Sequence, residues 1–214
     1  LGISITAYAS SIGPVVAKTF CPEEIDNNPF HLPDAEAAAM AQEYVDRMME
    51  EKESSGGVIE CRITGVPAGL GDPVFEKLDA NLSKALVSIG AVKGIEIGDG
   101  FAAAHSVGSE NNDSFYINEN GNTAKKTNHA GGILGGISDG DTIIVRAAVK
   151  PTPSIFRPQQ TISRNKEPME LTIKGRHDPL TVVVVEAMCA LTIADSLLLN
   201  MTSQMDGVLR FYQK

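Results

Sequence analysis

From Asn128 to Ser138 the chain reads NHAGGILGGIS, and a later apolar run ends in Lys150, Pro151, Thr152, Pro153 and Ser154. Four of the six residues from Gly131 to Gly136 are glycine. Glycine loses much backbone entropy on folding and brings no side chain to a core. Such a density therefore points to positive φ or to a backbone that something approaches closely. Backbone N–H groups, a lysine, a threonine and a serine are the donors that an anionic ligand requires. Plain tight turns account for paired glycines equally well, and neither the strict dinucleotide fingerprint nor the phosphate-loop pattern is present. A second polar cluster, Arg176, His177, Asp178 and Pro179, falls between an apolar strand and an apolar helix. On spacing alone it is a turn closed by proline. Functionally it would offer an arginine to an anion and a carboxylate to a proton or a polar ring.

The remaining candidates are weaker. His31 stands among prolines and reads as structural, His105 lies in a long polar stretch, and His129 and His177 flank the two motifs. No histidine pair has metal-ligand spacing, so no metal site is expected. Asp72 reads as a helix N-cap, Asp99 as a turn residue, and Lys125 with Lys126 as a solvated face. Three cysteines without a Cys-x-x-Cys argue against a disulfide scaffold or a zinc site; Cys61 and Cys189, in apolar runs, read as small buried hydrophobes, and a reducing cytoplasm fits. A net charge of −9 argues against nucleic acid or an anionic membrane as the main partner. An anionic small-molecule substrate then needs a locally basic site.

Alternation at Leu1, Ile3 and Ile5 predicts an initial strand, so the chain is expected to begin inside a folded element. A helix is predicted over 34–54, a half-buried strand over 58–66 and a helix opening at Asp72-Pro73 with the stripe Leu78, Leu82, Leu86. Strands are predicted over 92–97, 141–149 and 169–174, and a long apolar helix over 183–200. That last run contains Glu186 and Asp195, which favours a core helix over a membrane span. Residues 102–127 read as a long polar connection, and the part from Ser106 to Lys126 is expected to act as a mobile lid. The half-exposed strands favour antiparallel sheets, in an α+β class and a single domain over 1–214.

Four blocks, in order, resemble one family. They are Gly56 to Phe75 (GGVIECRITGVPAGLGDPVF), Ser88 to Phe101 (SIGAVKGIEIGDGF), Asn128 to Ser138, and Arg176 to Pro179 with Glu186, Ala187 and Met188 beyond. The chain resembles the chorismate synthases. The resemblance implies a β-α-β sandwich with antiparallel sheets around a helical layer. It also implies a cytoplasmic homotetramer and a lyase that eliminates phosphate from 5-enolpyruvylshikimate 3-phosphate with reduced FMN, NADPH being a candidate reductant. Carried over by motif position, Gly90, Ala91, Gly135, Lys150, Pro151, Thr152, Pro153, Ser154 and Arg176 would bind the flavin. Asp178 and Arg176 would serve catalysis, Asp178 near flavin N5. Pro153 stands where family members commonly have serine, and the stretch from Pro179 to Glu186 is shorter than theirs. The family's N-terminal region, with two catalytic histidines and substrate-gripping arginines, would precede Leu1. A truncated, non-catalytic module that binds flavin or phosphate or mediates oligomerisation is the alternative, and without the resemblance a phosphate- or nucleotide-binding domain.

Overall fold

The computed structural model describes residues 1–173, 175 and 181–213. Its centre is a five-stranded antiparallel sheet. In chain order the elements begin with β1 (Ser4–Ile12), β2 (Val15–Val16), α1 (Ala35–Glu50), β3 (Gly57–Thr64), α2 (Leu78–Val87) and β4 (Val92–Ile97). Then come α3 (Gly108–Asn111), β5 (Phe115–Ile117), β6 (Thr123–Lys125), β7 (Ile133–Leu134), β8 (Ile137–Ser138) and β9 (Ile143–Val149). The chain closes with β10 (Gln159–Ile162), β11 (Pro168–Leu171), α4 (Val182–Ser203) and α5 (Met205–Tyr212). The sheet order is β2-β1-β3-β9-β4, and β5–β6, β7–β8 and β10–β11 are separate two-stranded hairpins. The class is α+β.

Period-two alternation assigns the two faces of the sheet. Ala7 pairs with Cys61, Cys61 with Val145 and Val145 with Ile97, a row that faces the helices. One position over, Tyr8 pairs with Glu60, Glu60 with Arg146 and Arg146 with Glu96, a polar row on the opposite face. Leu78, Leu82 and Leu86 of α2 are buried against the apolar face, as the sequence spacing predicts. Helix α4 meets the same layer through Val182, Val185, Cys189 and Ile193, spaced three or four apart. By length and hydropathy α4 could cross a membrane. One stripe of it packs on β1 and α2, while Val183, Leu191, Leu198 and Leu199 are exposed. Glu186 within it accepts a bond from the Ala7 N–H at 2.8 Å, capping a donor that the short β2 leaves unpaired. A second cluster joins α1 to the end of β1 through Ala38, Ala41, Leu32 and Ile12.

Two expectations need correction. The helix predicted from Asp72 begins only at Leu78, because an Asp72–Glu76 bridge closes a turn over residues 73–75. Its N-cap is Lys77, without a side-chain cap, and the carbonyl of Gly136 accepts the Leu78 N–H at 2.8 Å. The stretch 102–127 is not structureless, since it holds α3 and the β5–β6 hairpin. By contrast α1 starts as expected: Asp34 accepts from the Ala37 N–H at 3.1 Å.

Asp34 also accepts from the N–H groups of Lys18 and Thr19. These bonds, Ala37's foremost, pull its carboxyl down to about 2. A depressed carboxylate stabilises the fold above its unfolded pKa of about 3.9, and the gain is lost as pH falls through the folded value. Asp34→Asn should therefore lower the melting temperature at neutral pH, with the gap to wild type closing between about pH 4 and pH 2. Leu82, fully buried, should cost about 2–5 kcal/mol when replaced by alanine, read by urea denaturation.

Candidate functional site

The ladder of β4 on β9 sets Val92 opposite Val149, and Lys150 N–H then donates to the Ala91 carbonyl at 2.9 Å. Ala91 takes φ +73, a conformation a non-glycine residue adopts at a cost, immediately after the C-terminus of α2. Strand β9 runs on into Pro151 and Thr152, and the Thr152 carbonyl accepts from Ser54 Oγ at 2.6 Å. A Cβ on Gly56 would run into the Val149 carbonyl and Pro151, so only glycine lets these segments pass. A Cβ on Gly175 would meet the Ser154 side chain, which brings the residue before Arg176 to the same end of the sheet. Gly90, Ala91 and the segment from Lys150 to Ser154 are thus gathered in one region. Arg176 and Asp178 lie outside the described residues.

Gly135 is elsewhere. It forms the turn between β7 and β8, whose next residue, Gly136, meets the N-terminus of α2. Gly90 follows the opposite end of this ten-residue helix. That separates the two by about 15 Å along the axis. The glycine run has two roles. A Cβ on Gly131 would run into Gly98, so the two turns interlock backbone to backbone, which is a structural use. Gly135, at φ +62 and exposed, has nothing within 4 Å of an added Cβ and stays open to a ligand.

Side chains that sequence reasoning passed over fasten this interlock. Lys125, expected at the surface, is 3% exposed. Its Nζ lies 2.7 Å from Asp139, 3.1 Å from Asp141 and 3.9 Å from Asp113. Burial disfavours the ammonium, but the bonds to Asp139 and Asp141 outweigh it and raise the pKa. Asp113 accepts the N–H groups of His129 and Ala130 and the hydroxyl of Thr127. Burial pushes the Asp113 carboxyl up, and those donors more than reverse the effect. His129 Nδ1 sits 2.5 Å from Asp99, whose N–H donates to the His129 carbonyl at 2.8 Å. Nothing in the local sequence signals these partners, because they meet across 14 to 30 residues.

On the outer sheet face Glu60 is 6% exposed and is bonded by Tyr8, Arg62 and Arg146. Burial pushes its carboxyl up and the three donors together hold it below the usual range. Arg62 also stacks on Phe20, 4.1 Å from the ring centroid. Lys150 differs from these cations: among the described residues its ammonium has no carboxylate partner.

The family model described as chorismate synthase matches residues 1–198. The chain belongs to the chorismate synthase family. It is 56% identical over its whole length to a chorismate synthase of Agathobacter rectalis and 55% identical to one of Lachnoclostridium phytofermentans. It is 48% identical over 92% of its length to one of Chloroflexus aggregans. A solved structure of chorismate synthase superposes on 94% of the chain with a TM-score of 0.77 at 31% identity. The chain spans 60% of the first two relatives and 58% of the solved chain. The chorismate synthase motif from Asn128 to Ser138 is, in this chain, the segment that Asp113 and Lys125 hold in place.

The depressed Asp113 supplies stability above a pH of about 3.9, and the raised Lys125 supplies it below about 10.4, so the cluster acts fully between those limits. Lys125→Met leaves three carboxylates facing one another and should cost about 3–5 kcal/mol at neutral pH. Denaturation at stepped pH should show the deficit shrinking as the carboxylates protonate.

Proposed function

We propose that this protein carries out the chorismate synthase reaction, a 1,4-elimination of phosphate from 5-enolpyruvylshikimate 3-phosphate that yields chorismate. The C–O bond breaks with its electron pair leaving on phosphate, a ring C–H bond breaks, and no net oxidation results. The observation that carries the reading is the convergence of Gly90, Ala91 and Lys150 at one end of the sheet, in a chain 56% identical to a protein of that name.

These residues fit a flavin phosphate cofactor in chemical type. The Lys150 ammonium, with no carboxylate partner among the described residues, answers the negative charge of a ligand in an otherwise acidic chain. Gly90 and Ala91 follow a helix C-terminus, where the carbonyl end of the dipole disfavours phosphate. Donor groups of the flavin ring suit that position better. Reduced FMN, when bound, supplies electron density for loss of the allylic phosphate and a place for the ring proton. Thr152 and Ser154 offer hydroxyls for orientation, with Pro151 and Pro153 stiffening the strand end. Arg176 would stabilise charge on the departing phosphate, and Asp178 would hold or pass the proton. Gly135 belongs to this site only if a ligand or a second subunit spans the distance along α2. A cytoplasmic homotetramer, with NADPH as the source of reducing equivalents, completes the proposal. The alternative is a module that binds flavin or phosphate or mediates assembly without turnover.

Lys150→Ala should weaken FMN binding by about 1.5–3 kcal/mol, read by flavin fluorescence. Unchanged affinity would remove Lys150 from the cofactor site. Asp178→Asn should keep FMN affinity and slow phosphate release with pre-reduced FMN. FMN binding with no phosphate release by the unsubstituted protein would favour the module.

A further inference from the structure

Helix α4 carries two apolar stripes on opposite faces. Val182, Val185, Cys189 and Ile193 are buried, and the helix packs on β1 and α2. At about 100° per residue the far side holds Val184, Ala187, Leu191, Ala194, Leu198 and Met201. All six are exposed, Val184 by 43%, Leu191 by 64% and Leu198 by 63%. They recur at spacings of three, four, three, four and three, the heptad pattern of a helix that packs on another helix. The band runs for about 26 Å along the axis. A continuous apolar band of this kind marks a contact face.

Two features of the band say what covers it. Its residues alternate in size, with Ala187 and Ala194 set between the bulky ones. In an antiparallel pair of identical helices, each heptad core position meets the other core position of the second copy. A register centred between Thr192 and Ile193 sets Ala187 against Leu198 of the second copy, Leu191 against its Ala194 and Val184 against its Met201. Every alanine then receives a leucine, so large and small residues interdigitate. A parallel pair would set leucine on leucine and leave a void at each alanine. The band is therefore complementary to itself about a twofold axis. It also carries no charge. Of the two charged residues in α4, Glu186 bonds the Ala7 N–H, and Asp195 lines a groove beside α2 together with Lys84. A membrane surface accepts any apolar face without this alternation, and favours helices flanked by Lys and Arg, of which α4 has none.

We propose that the outer face of α4 is an antiparallel seam between two copies of this chain, crossing at Thr192 and Ile193. The seam rests on the homotetramer proposed above and assigns one of its contacts. Sedimentation velocity over a concentration series should show a dimer or a multiple of it. Leu191→Glu sets two carboxylates beside the axis and should raise the dissociation constant about a hundredfold. Ala194→Leu adds apolar surface but fills the hollow that receives Leu191, and should raise it about tenfold. A merely greasy face would bind more tightly with that change. Both positions are exposed, so circular dichroism of the variants should match the wild type. Register is read by cross-linking with the exposed Cys21 replaced by serine. Protein carrying Ala187→Cys, mixed with protein carrying Leu198→Cys, should form a disulfide between copies under copper–phenanthroline oxidation. Neither variant alone should do so, because like positions lie about 16 Å apart along the seam. A monomer at every concentration overturns the proposal, whether the stripe then binds phosphatidylcholine vesicles or takes up chain that the longer relatives possess. An oligomer that survives both substitutions, or that links like with like, also overturns the seam and leaves the homotetramer to another face.

Discussion

The register that sets Cys61 opposite Val145 governs this molecule. Seven consecutive pairs join β3 to β9, from Gly57 with Val149 to Ile63 with Ile143. A slip of one residue would turn Ile59, Cys61 and Ile63 to the polar face and bring Glu60 and Arg62 under the helices. Burying that ion cluster without partners would cost far more than a marginally stable domain can lose. The same register fixes both ends of β9. At one end Val149 leads into Lys150 beside Ala91, and at the other Ile143 follows the glycine run. Position along this one ladder therefore decides which motif residues can meet.

The two ends are built differently. The glycine-run end is over-determined: interlocked backbones at Gly98 and Gly131, a lysine among three carboxylates and a histidine held on Asp99. Asp113, Lys125 and Asp99 each find partners within the chain there, which braces the glycine run. The Lys150 end has an exposed ammonium with no carboxylate partner among the described residues and, at Ala91, a residue at positive φ. Such a contrast explains how a chain of net charge −9 can still offer a local cation to an anion.

Much of the fold was legible because it rests on local pattern. Alternation across Ile59, Cys61 and Ile63 and the leucine stripe of α2 act over a few residues, and both stand as read. The failures share a cause. Asp72-Pro73 has the composition of a helix start, yet the Asp72–Glu76 bridge is the stronger local demand. Lys125 looks solvated beside Lys126, but Asp139 and Asp141 reach it from beyond the glycine run. The connection around Asp113 reads as a free loop, although Asp113 is the residue that ties His129 and Ala130 down.

The sequence by itself determined the antiparallel strands, the helical stripes and the family, because those depend on residue type at short and regular spacing. Only the tertiary structure decided that Gly131 and Gly136 are packing devices while Gly135 is open, and that Lys125 is buried among carboxylates. It also decided that Gly90, Ala91 and Lys150 meet while Gly135 stands a helix-length away. These are relations between residues far apart in the chain. Electrostatic and packing energies depend on distance through space and on exclusion of water, and neither quantity is encoded in any short window of sequence.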